Sequence, residues 1–288
     1  MKKSFMINKI TIIGVGLIGG SLAKAIKENN LAKVVFGYGR DLNRLEKAQK
    51  ANVIDQFSTN LKEAINDSDI VIIATPVGSF KEILIEIKPF LTSKIVISDV
   101  GSTKTNIALI VSQTLGDYSN YFIPAHPIAG KEKSGFEASE SNLFNNRKVI
   151  ITPLETSSPD SINLIQKMWE GTGADVDFMS PESHDELLGM TSHLPHMLAF
   201  SLVNYLISKN PSASIYAAGG FKDFSRIASG DAVMWRDICI QNKDQIIDHI
   251  RGYQKTLNSL VDAIENENSD ELDLLFTSAK KTRDSWVG

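Results

Sequence analysis

The sequence is almost without cysteine. Cys239 is the single one among 288 residues, so no disulfide can form within the chain, which suits the reducing cytoplasm. Basic residues are not in excess either, with 30 Lys and Arg against 34 Asp and Glu. The charge therefore gives no sign of binding to nucleic acid or to an anionic membrane. No apolar run reaches the roughly 18 residues of a membrane span. These absences favour a cytoplasmic protein with neither kind of partner.

The strongest motif present is a glycine-rich turn between a short apolar strand, residues 10–13, and a helical pattern. It reads G-x-G-x-x-G, the spacing of a dinucleotide-binding turn. Gly14 permits the tight turn, Gly16 lets the backbone approach a pyrophosphate, and Gly19 lets helix and strand pack closely. A glycine-rich turn without a ligand is the alternative, but strand, spacing and helix together favour the dinucleotide. The residues predicted to bind it here are Gly14, Gly16, Leu17, Ile18 and Gly19.

The second strand, Val34 to Tyr38, ends where a dinucleotide site recognises the ribose. Gly39 leaves room there, and Arg40 can pair with a 2′-phosphate, which favours NADP over NAD. In the alternative interpretation Arg40 is simply solvated and Asp41 caps the next helix. Asp41 is also close enough to serve NAD.

Three further apolar runs alternate with helical patterns, which predicts a parallel sheet covered on both faces. The runs are residues 70–74, 95–99 and 122–125. Ligands bind beyond the carboxyl ends of such strands. Polar residues stand there in each case: Thr75 with Pro76, the segment 99–104, and His126. We expect these strand ends to face one crevice, with Thr75 and Pro76 contacting the cofactor.

His126 is the best candidate for chemistry, because an imidazole can accept a proton near neutral pH. The alternative is a histidine that merely caps a strand by hydrogen bonding. Ser102 could bind the substrate or the nicotinamide, and it could equally be the N-cap of the helix that follows it.

The pattern changes after the strand-like segments 149–152 and 176–179. From Pro181 onward it is helical, and residues 187–202 are apolar on almost all sides, which predicts a buried helix that Pro195 bends or loosens. Further helices are predicted over residues 232–250, 253–264 and 272–280. Such a helical half favours a homodimer over a monomer. The predicted fold is thus α/β, with a Rossmann-type, mostly parallel sheet domain (1–179) followed by an all-helical dimerisation domain (180–288).

The chain resembles the prephenate/arogenate dehydrogenases of tyrosine biosynthesis along almost its whole length. The matching segments are GVGLIGGSLA (14–23), ATPV (74–77), SDVGSTK (98–104), HPIAGKEKSGFEAS (126–139), VIITP (149–153), MSPESHDELLGMTSHLPH (179–196), GGFKDFSRIASGDAVMWRDI (219–238) and NK (242–243). The glycine turn is common to many dehydrogenases, whereas HPIAG, SHLPH and GGFKDFSRIA are far more specific.

The resemblance implies an oxidative decarboxylation of prephenate or arogenate with NADP or NAD. His126 then takes the proton of the ring hydroxyl, and Ser102 contacts that hydroxyl and the nicotinamide region. Arg226 holds a substrate carboxylate; it stands among apolar residues and so requires an anion. The remaining substrate-site residues that the resemblance implies are Ser192, His196, Glu132, Lys131, Asp223 and Trp235. Lys131 departs from the threonine common in the family, and Trp235 is expected at the subunit junction.

Other interpretations stay open. The chain could be another two-domain dehydrogenase, of the β-hydroxyacid or pyrroline carboxylate reductase type, or a dinucleotide sensor without turnover. A metal site is not expected, because His193 and His196 alone are too few ligands. Without the resemblance, His196 would be interpreted as a hydrogen-bonded core histidine. The sequence does not decide between prephenate and arogenate.

Overall fold

The computed structural model describes residues 7–131 and 133–286. Its contacts divide the chain into two compact units, residues up to Lys243 and residues from Asp244 onward. Within the described ranges, no helix is both long and apolar enough to cross a bilayer.

A six-stranded, fully parallel sheet forms the centre of the first unit, with the strand order β3-β2-β1-β4-β5-β6. The chain reverses its direction of travel across the sheet between β3 and β4, since β4 lies on the other side of β1. The strands are β1 (Ile7–Ile13), β2 (Ala32–Tyr38), β3 (Gln56–Ser58), β4 (Ile70–Ile73), β5 (Val96–Asp99) and β6 (Phe122–Ile123).

Helices cover both faces of this sheet. Alternate residues of β4 enter two separate cores, with Ile70 and Ile72 in one and Val71 and Ile73 in the other. All four side chains are fully buried, as the apolar runs predicted. The helices of this region are α1 (Leu17–Glu28), α2 (Leu42–Lys50), α3 (Leu61–Ile65), α4 (Phe80–Ile87), α5 (Thr105–Leu115) and α6 (Pro159–Gly171).

The predicted strand 122–125 is wrong as a single element. Residues 122–123 end the large sheet as β6, and the chain then enters a second, three-stranded sheet of β7 (Ala125–Pro127), β8 (Lys148–Ile151) and β9 (Asp175–Phe178). Pro124 stands at the switch, where its missing N–H group interrupts the ladder. The switch places His126 in β7, opposite Ile150 of β8 in an antiparallel pair.

Helices follow β9, and a π-helical turn over Gly189–His193 separates the first two. This irregular turn directly precedes Pro195, so the predicted loosening is confirmed. The predicted burial is wrong for the isolated chain, because Ala199 is the only fully buried residue of α8. The helices of this segment, called the helical segment below, are α7 (Pro181–Leu188), α8 (Leu194–Lys209), α9 (Gly219–Ser225) and α10 (Ala232–Gln241).

The predicted helix 232–250 is also wrong, because α10 ends at Gln241 with Asn242 as its C-cap. The Asn242 side chain donates to the Asp185 carbonyl oxygen at 2.8 Å and lies 3.1 Å from His193 Nδ1. These long-range contacts hold the break and have no local sequence signal. The second unit consists of α11 (Lys243–Glu265), which continues through the predicted interruption near residue 252, and α12 (Ser269–Ser285).

Candidate active site

The glycine turn after β1 has the geometry that its spacing predicted. Gly14 has a φ of +98°, and a Cβ at Gly19 would lie 2.2 Å from the Gly14 oxygen, so both positions need glycine. A Cβ at Gly16 would meet nothing within 4 Å. Gly16 is also the N-cap of α1, and no side chain caps that helix. The N-terminus of α1 therefore presents amides and a positive dipole end to a space large enough for a phosphate.

A cavity of about 740 Å³ opens at this turn. It is lined by six of the residues predicted to contact the cofactor, namely Gly14, Gly16, Gly39, Arg40, Thr75 and Pro76. Leu17, Ile18 and Gly19 are not among its lining residues. Gly19 serves the packing of α1 on β1, and Leu17 and Ile18 form the first turn of that helix.

Three guanidinium groups line the same cavity: Arg40, Arg44 and Arg236. Arg40 is exposed, and Asp41 caps α2 by accepting from the Arg44 backbone N–H at 3.1 Å. The capping role considered for Asp41 is thus confirmed, and Arg40 nevertheless faces the cavity. Arg236 comes from α10 and pairs with its neighbour Asp237 at 2.7 Å. The sequence pattern pointed to Arg40 alone.

His126 lies in β7 beside the end of β5, because Asp99 accepts from the Ala125 backbone N–H at 3.1 Å. The ring is half-buried, and its Nδ1 lies 2.8 Å from Nε2 of His184. His184 in turn places its Nδ1 2.8 Å from Oδ1 of Asp185. Three side chains thus form one hydrogen-bonded row. The interpretation of His126 as a simple strand cap does not describe this arrangement.

The row sets the protonation pattern of both rings. The Asp185 carboxylate only accepts, so His184 carries its proton on Nδ1 and accepts on Nε2. His126 must then donate through Nδ1, which leaves the lone pair on its Nε2. In the described part of the chain, His184 is the only hydrogen-bond partner of the His126 ring. Burial holds the pKa of His126 well below the usual histidine value, and the neighbouring His184, Lys104 and His193 add to this effect. The ring is therefore neutral near pH 7 and available as a base.

Asp185 also anchors the N-terminus of α5. Its two oxygens accept from the backbone N–H groups of Lys104 and Thr105, each at 2.8 Å. Burial raises the pKa of Asp185, but the hydrogen bonds from His184 and from these amides outweigh burial, so the net shift is downward. Asp185 thus supplies the capping that was considered for Ser102. Ser102 lies before the helix, which begins at Thr105 and has no cap from its own sequence.

A fully buried ion pair lies beside the loop that joins β5 to α5, residues 100–104. Lys104 Nζ is 2.6 Å from Asp99 Oδ2, and both side chains have no exposed surface. Burial raises the pKa of Asp99 and lowers that of Lys104, while the charge of each partner opposes the shift. The remaining Asp99 contacts hold the loop, since Gly101 donates its N–H at 2.7 Å. This cation next to the His126 row disfavours a second positive charge there.

His193 in the π-helical turn contacts the end of α10. Asn242 donates to its Nδ1 at 3.1 Å, and among the described residues its buried Nε2 has no hydrogen-bond partner. Burial lowers the pKa of His193 to about 4. The Ser102 side chain is half-buried. Among the described residues the structure gives its hydroxyl no hydrogen bond to His126, so its predicted role in catalysis stays a prediction.

His196 stacks on Trp235, with ring centroids 3.8 Å apart and planes 25° from parallel. Its Nδ1 donates to the Ser192 carbonyl oxygen at 2.8 Å, which leaves Nε2 as the acceptor. The ring is half-buried rather than enclosed in a core. Trp235 is 7% exposed and precedes Arg236 in α10. One helix thus contributes both to the aromatic stack and to the nucleotide cavity. Among the described residues no three potential metal ligands are grouped together.

The other predicted substrate residues are more scattered. Lys131 is exposed and forms an ion pair with Glu140, so its charge already has a partner. Asp223 and Arg226 are both exposed in this chain. Glu132 lies outside the described residues. The convergence of Arg226 and His126 on one ligand stays a prediction.

Sequence reasoning missed several polar residues that the fold brings to His126 or to its hydrogen-bond partner His184, notably His184 itself, Asp185, Lys104 and Asn242. Lys104, Asn242 and the His-Asp pair lie in segments that matched the resemblance, at 98–104, 242–243 and 179–196. The hydrogen-bonded pairs are far apart in the sequence. Lys104 and Asp185 are separated by 81 positions, His126 and His184 by 58, and Asp185 and Asn242 by 57. Only an assembled fold shows such contacts.

The comparisons with known proteins agree along almost the whole chain. The family model described as "Prephenate dehydrogenase, nucleotide-binding domain" matches residues 22–178, and the model described as "Prephenate dehydrogenase, dimerization domain" matches residues 180–278. A prephenate dehydrogenase of Bacillus subtilis is 37% identical over 284 residues, which cover 97% of this chain and 76% of that protein. A cyclohexadienyl dehydrogenase of Zymomonas mobilis is 30% identical, covering 95% and 94%.

Among solved structures, the prephenate dehydrogenase of A. aeolicus in complex with hydroxyphenyl propionate and NAD+ is 36% identical. It superimposes with a TM-score of 0.92 and covers 98% of this chain and 99% of that one. The parallel-sheet and helical regions thus have the predicted architecture. The chain belongs to the prephenate dehydrogenase family.

Proposed function

We propose that this chain oxidises and decarboxylates prephenate or arogenate with NADP or NAD, giving 4-hydroxyphenylpyruvate or tyrosine. The observation that carries the proposal is the neutral His126 ring with its Nδ1 engaged by His184 and its Nε2 lone pair available. A base in this state at neutral pH is what removal of a hydroxyl proton requires. The names of the matched relatives support the choice of substrate.

The chemistry balances with one base. The substrate ring carries a carboxylate on one carbon and a hydroxyl on the opposite carbon. His126 Nε2 takes the hydroxyl proton, the C–H electron pair of that carbon leaves as hydride, and the carboxylate leaves as carbon dioxide while the ring becomes aromatic. The proton then returns from His126 to the phenolate oxygen, which gives the phenol product and restores the neutral base. When bound, the nicotinamide supplies the hydride acceptor. Aromatisation provides the driving force, so the protein has to position the ring and manage one proton.

The cavity at the glycine turn fits a dinucleotide. The uncapped N-terminus of α1, the open space at Gly16 and the volume of about 740 Å³ suit a pyrophosphate and a ribose. Thr75 and Pro76 follow β4, which neighbours β5 in the sheet. Because Asp99 at the end of β5 holds β7, His126 and the side of the cavity formed by Thr75 and Pro76 belong to adjacent strand ends. This proximity supports a nicotinamide bound at Thr75 and Pro76.

We propose that Arg226 binds a substrate carboxylate, with Asp223, Glu132 and Lys131 near the entrance of the site. Ser192, His196 and Trp235 would contact the substrate from the helical segment. The stack of His196 on Trp235 supports this assignment, because it fixes the ring orientation and leaves Nε2 to accept a hydrogen bond. Ser102 would contact the ring hydroxyl beside His126.

NADP is the proposed preferred cofactor. Arg40, Arg44 and Arg236 place three cationic side chains around one cavity, although Glu82 and Glu86 also line it. A 2′-phosphate can form bidentate hydrogen bonds with guanidinium groups. One experiment tests both the proposed reaction and the proposed cofactor. Initial rates are measured with prephenate and with arogenate, each with NADP and with NAD. Turnover with neither substrate would contradict the proposed reaction, and a higher kcat/KM with NAD would contradict the cofactor preference.

We also propose a homodimer formed through the helical part of the chain. In α8, Tyr205 and Ile207 are 61% and 53% exposed, and in α12 Leu274 is 71% exposed. Exposed apolar side chains of this kind mark an interaction surface on each of the two units. A second copy is the proposed partner, and the matched dimerisation domain supports it.

Light scattering after gel filtration tests the oligomeric state. Wild-type protein should elute with twice the mass of the 31.7 kDa chain. The double variant Ile207→Asp, Leu274→Asp should be monomeric at the same concentration. Leu109→Asp is the matched control, because Leu109 is 52% exposed on α5 of the sheet region. A monomeric wild-type protein, or a dimer unchanged in the double variant, would contradict this interface.

A further inference from the structure

The His184 side chain is buried and need not contact the substrate. Its position nevertheless determines which nitrogen of His126 carries the proton. His184 has no exposed side-chain surface, and its two ring nitrogens have one partner each: Asp185 at Nδ1 and His126 at Nε2. A histidine with both nitrogens engaged in this way has a fixed orientation and a fixed tautomer.

We propose that His184 is a positioning residue that keeps His126 in the tautomer protonated on Nδ1, so that Nε2 stays free to accept the substrate proton. Asp185 completes the device by holding His184 in its own tautomer. The inference rests on the proposed function for its consequence in catalysis. The tautomer of His126 is a property of the folded protein without any ligand.

The anchoring of Asp185 makes this arrangement rigid. Asp185 receives three hydrogen bonds at 2.8 Å, from the His184 ring and from the backbone N–H groups of Lys104 and Thr105. Rotation of the carboxylate would leave two amides at the N-terminus of α5 without this partner, which is costly for the buried amide of Lys104. The orientation of His126 is thus coupled through two side chains to the start of a helix.

If His184 is replaced by a residue that cannot accept a hydrogen bond, His126 should no longer be held in one tautomer. In His184→Leu nothing would accept from His126 Nδ1, and the proton would redistribute between the two nitrogens. We expect kcat to fall by roughly ten- to a hundredfold, as is typical when a partner that orients a histidine is lost. In His184→Gln the amide oxygen can stand where Nε2 was and accept the same hydrogen bond, so most of kcat should be retained.

The direct readout is ¹⁵N NMR of histidine-labelled protein, since the chain has only five histidines. Wild-type His126, identified by its loss in His126→Asn, should show a protonated Nδ1 and an unprotonated Nε2. His184→Gln should keep this pattern and His184→Leu should lose it. Glu182→Gln is the matched control, an exposed position on the same helix, and should change neither kcat nor the tautomer.

The pH profile of kcat gives a second readout. The charged and titratable groups around His126 are His184 and Asp185 from α7, Lys104 and Asp99 from the loop and strand below, and His193 from the π-helical turn. Replacing His184 by Gln removes one contribution that lowers the pKa of His126, so the acidic limb of the profile should move to higher pH.

Three results would overturn the inference: a wild-type His126 protonated on Nε2, a His184→Leu variant with unchanged tautomer and turnover, or a His184→Gln variant as impaired as His184→Leu. The wild-type spectrum alone decides the first of these even if a variant does not fold. Absence of turnover in the wild type would instead count against the proposed reaction and leave the tautomer result standing.

Discussion

Strand β4 and helix α8 both have strongly apolar sequences, but β4 is buried in the fold and α8 is largely accessible to solvent. All four residues of β4 are fully buried, whereas α8 buries Ala199 alone. The sheet is covered on both faces by helices of the same chain, so its core is complete. The helical segment presents apolar surface that this chain by itself leaves uncovered. The polar row of His126, His184 and Asp185 joins the two regions, since β7 follows the sheet and α7 opens the helical segment.

The largest effect is expected from a substitution that removes the base at this junction and leaves both regions folded. His126→Asn should lower kcat by about 10²–10⁴, the usual contribution of general-base catalysis. NADP affinity, measured by fluorescence titration, should be unchanged because His126 does not line the nucleotide cavity. Turnover close to wild type in this variant would remove His126 from the chemistry and break the proposed link between the regions.

The pH dependence of the free energy of unfolding tests whether the His193 ring is buried in its neutral form beside this row. Burial lowers the pKa of His193 to about 4, so between pH 6.5 and 4 the unfolded chain binds a proton that the folded chain does not. The stability contributed by the neutral ring is complete above pH 6.5 and is lost as the pH falls toward 4, by roughly 3 kcal/mol.

Urea unfolding at pH 7, 6, 5 and 4.5 measures this loss. His193→Gln has no ring to protonate, so its free energy of unfolding should fall less steeply over the same range, whatever its value at pH 7. Equal slopes for the two proteins would contradict the assignment.

A smaller effect is expected on the helical side of the comparison. Arg226→Ala should raise KM for the substrate by roughly ten- to a hundredfold, which corresponds to about 1.5–3 kcal/mol for a hydrogen bond to a charged group. Steady-state kinetics should show kcat changed much less. Lys222→Ala removes a nearby exposed cation and should leave KM as it is. An unchanged KM in Arg226→Ala would assign Arg226 to structure.

The smallest effects are expected in the glycine turn, where one glycine is required for helix packing and another for cofactor binding. Gly19→Ala brings a Cβ to 2.2 Å from the Gly14 oxygen and should cost about 1–3 kcal/mol of stability, as overpacking does. Gly16→Ala meets nothing within 4 Å and should fold normally, while the added methyl group weakens NADP binding. Thermal unfolding and cofactor titration of both variants measure the difference. A Gly16→Ala protein with unchanged cofactor affinity would contradict the position proposed for the pyrophosphate.

Local signals in the sequence were sufficient for four strands of the large sheet, β1, β2, β4 and β5, but they missed β3 and merged β6 with β7. The glycine spacing, the apolar runs and the cap at Asp41 each depend on residues close together in the chain, and the structure has the geometry they predict at Gly14 and Gly19. The same local signals failed where distant residues decide. Asn242 ends α10 because it reaches Asp185 and His193, and Asp185 replaces Ser102 as the cap of α5 from 80 positions away.

The burial of α8 was predicted wrongly for a different reason. An apolar pattern shows that a surface requires cover, but it does not show whether that cover comes from the same chain. For the candidate site, the sequence pointed to His126 because of its place after a strand, and it gave no reason to connect His184 with it. Hydrogen bonds between side chains 58 positions apart leave no periodic trace.

Helix α10 has one further consequence. Trp235 stacks on His196, and the next residue, Arg236, faces the nucleotide cavity. Two ligands that each favour the same orientation of one helical turn are thermodynamically linked, and we propose that this turn couples the cofactor to the substrate in that way. We expect whichever ligand arrives first to alter the affinity for the second, and by the same factor in either order of addition.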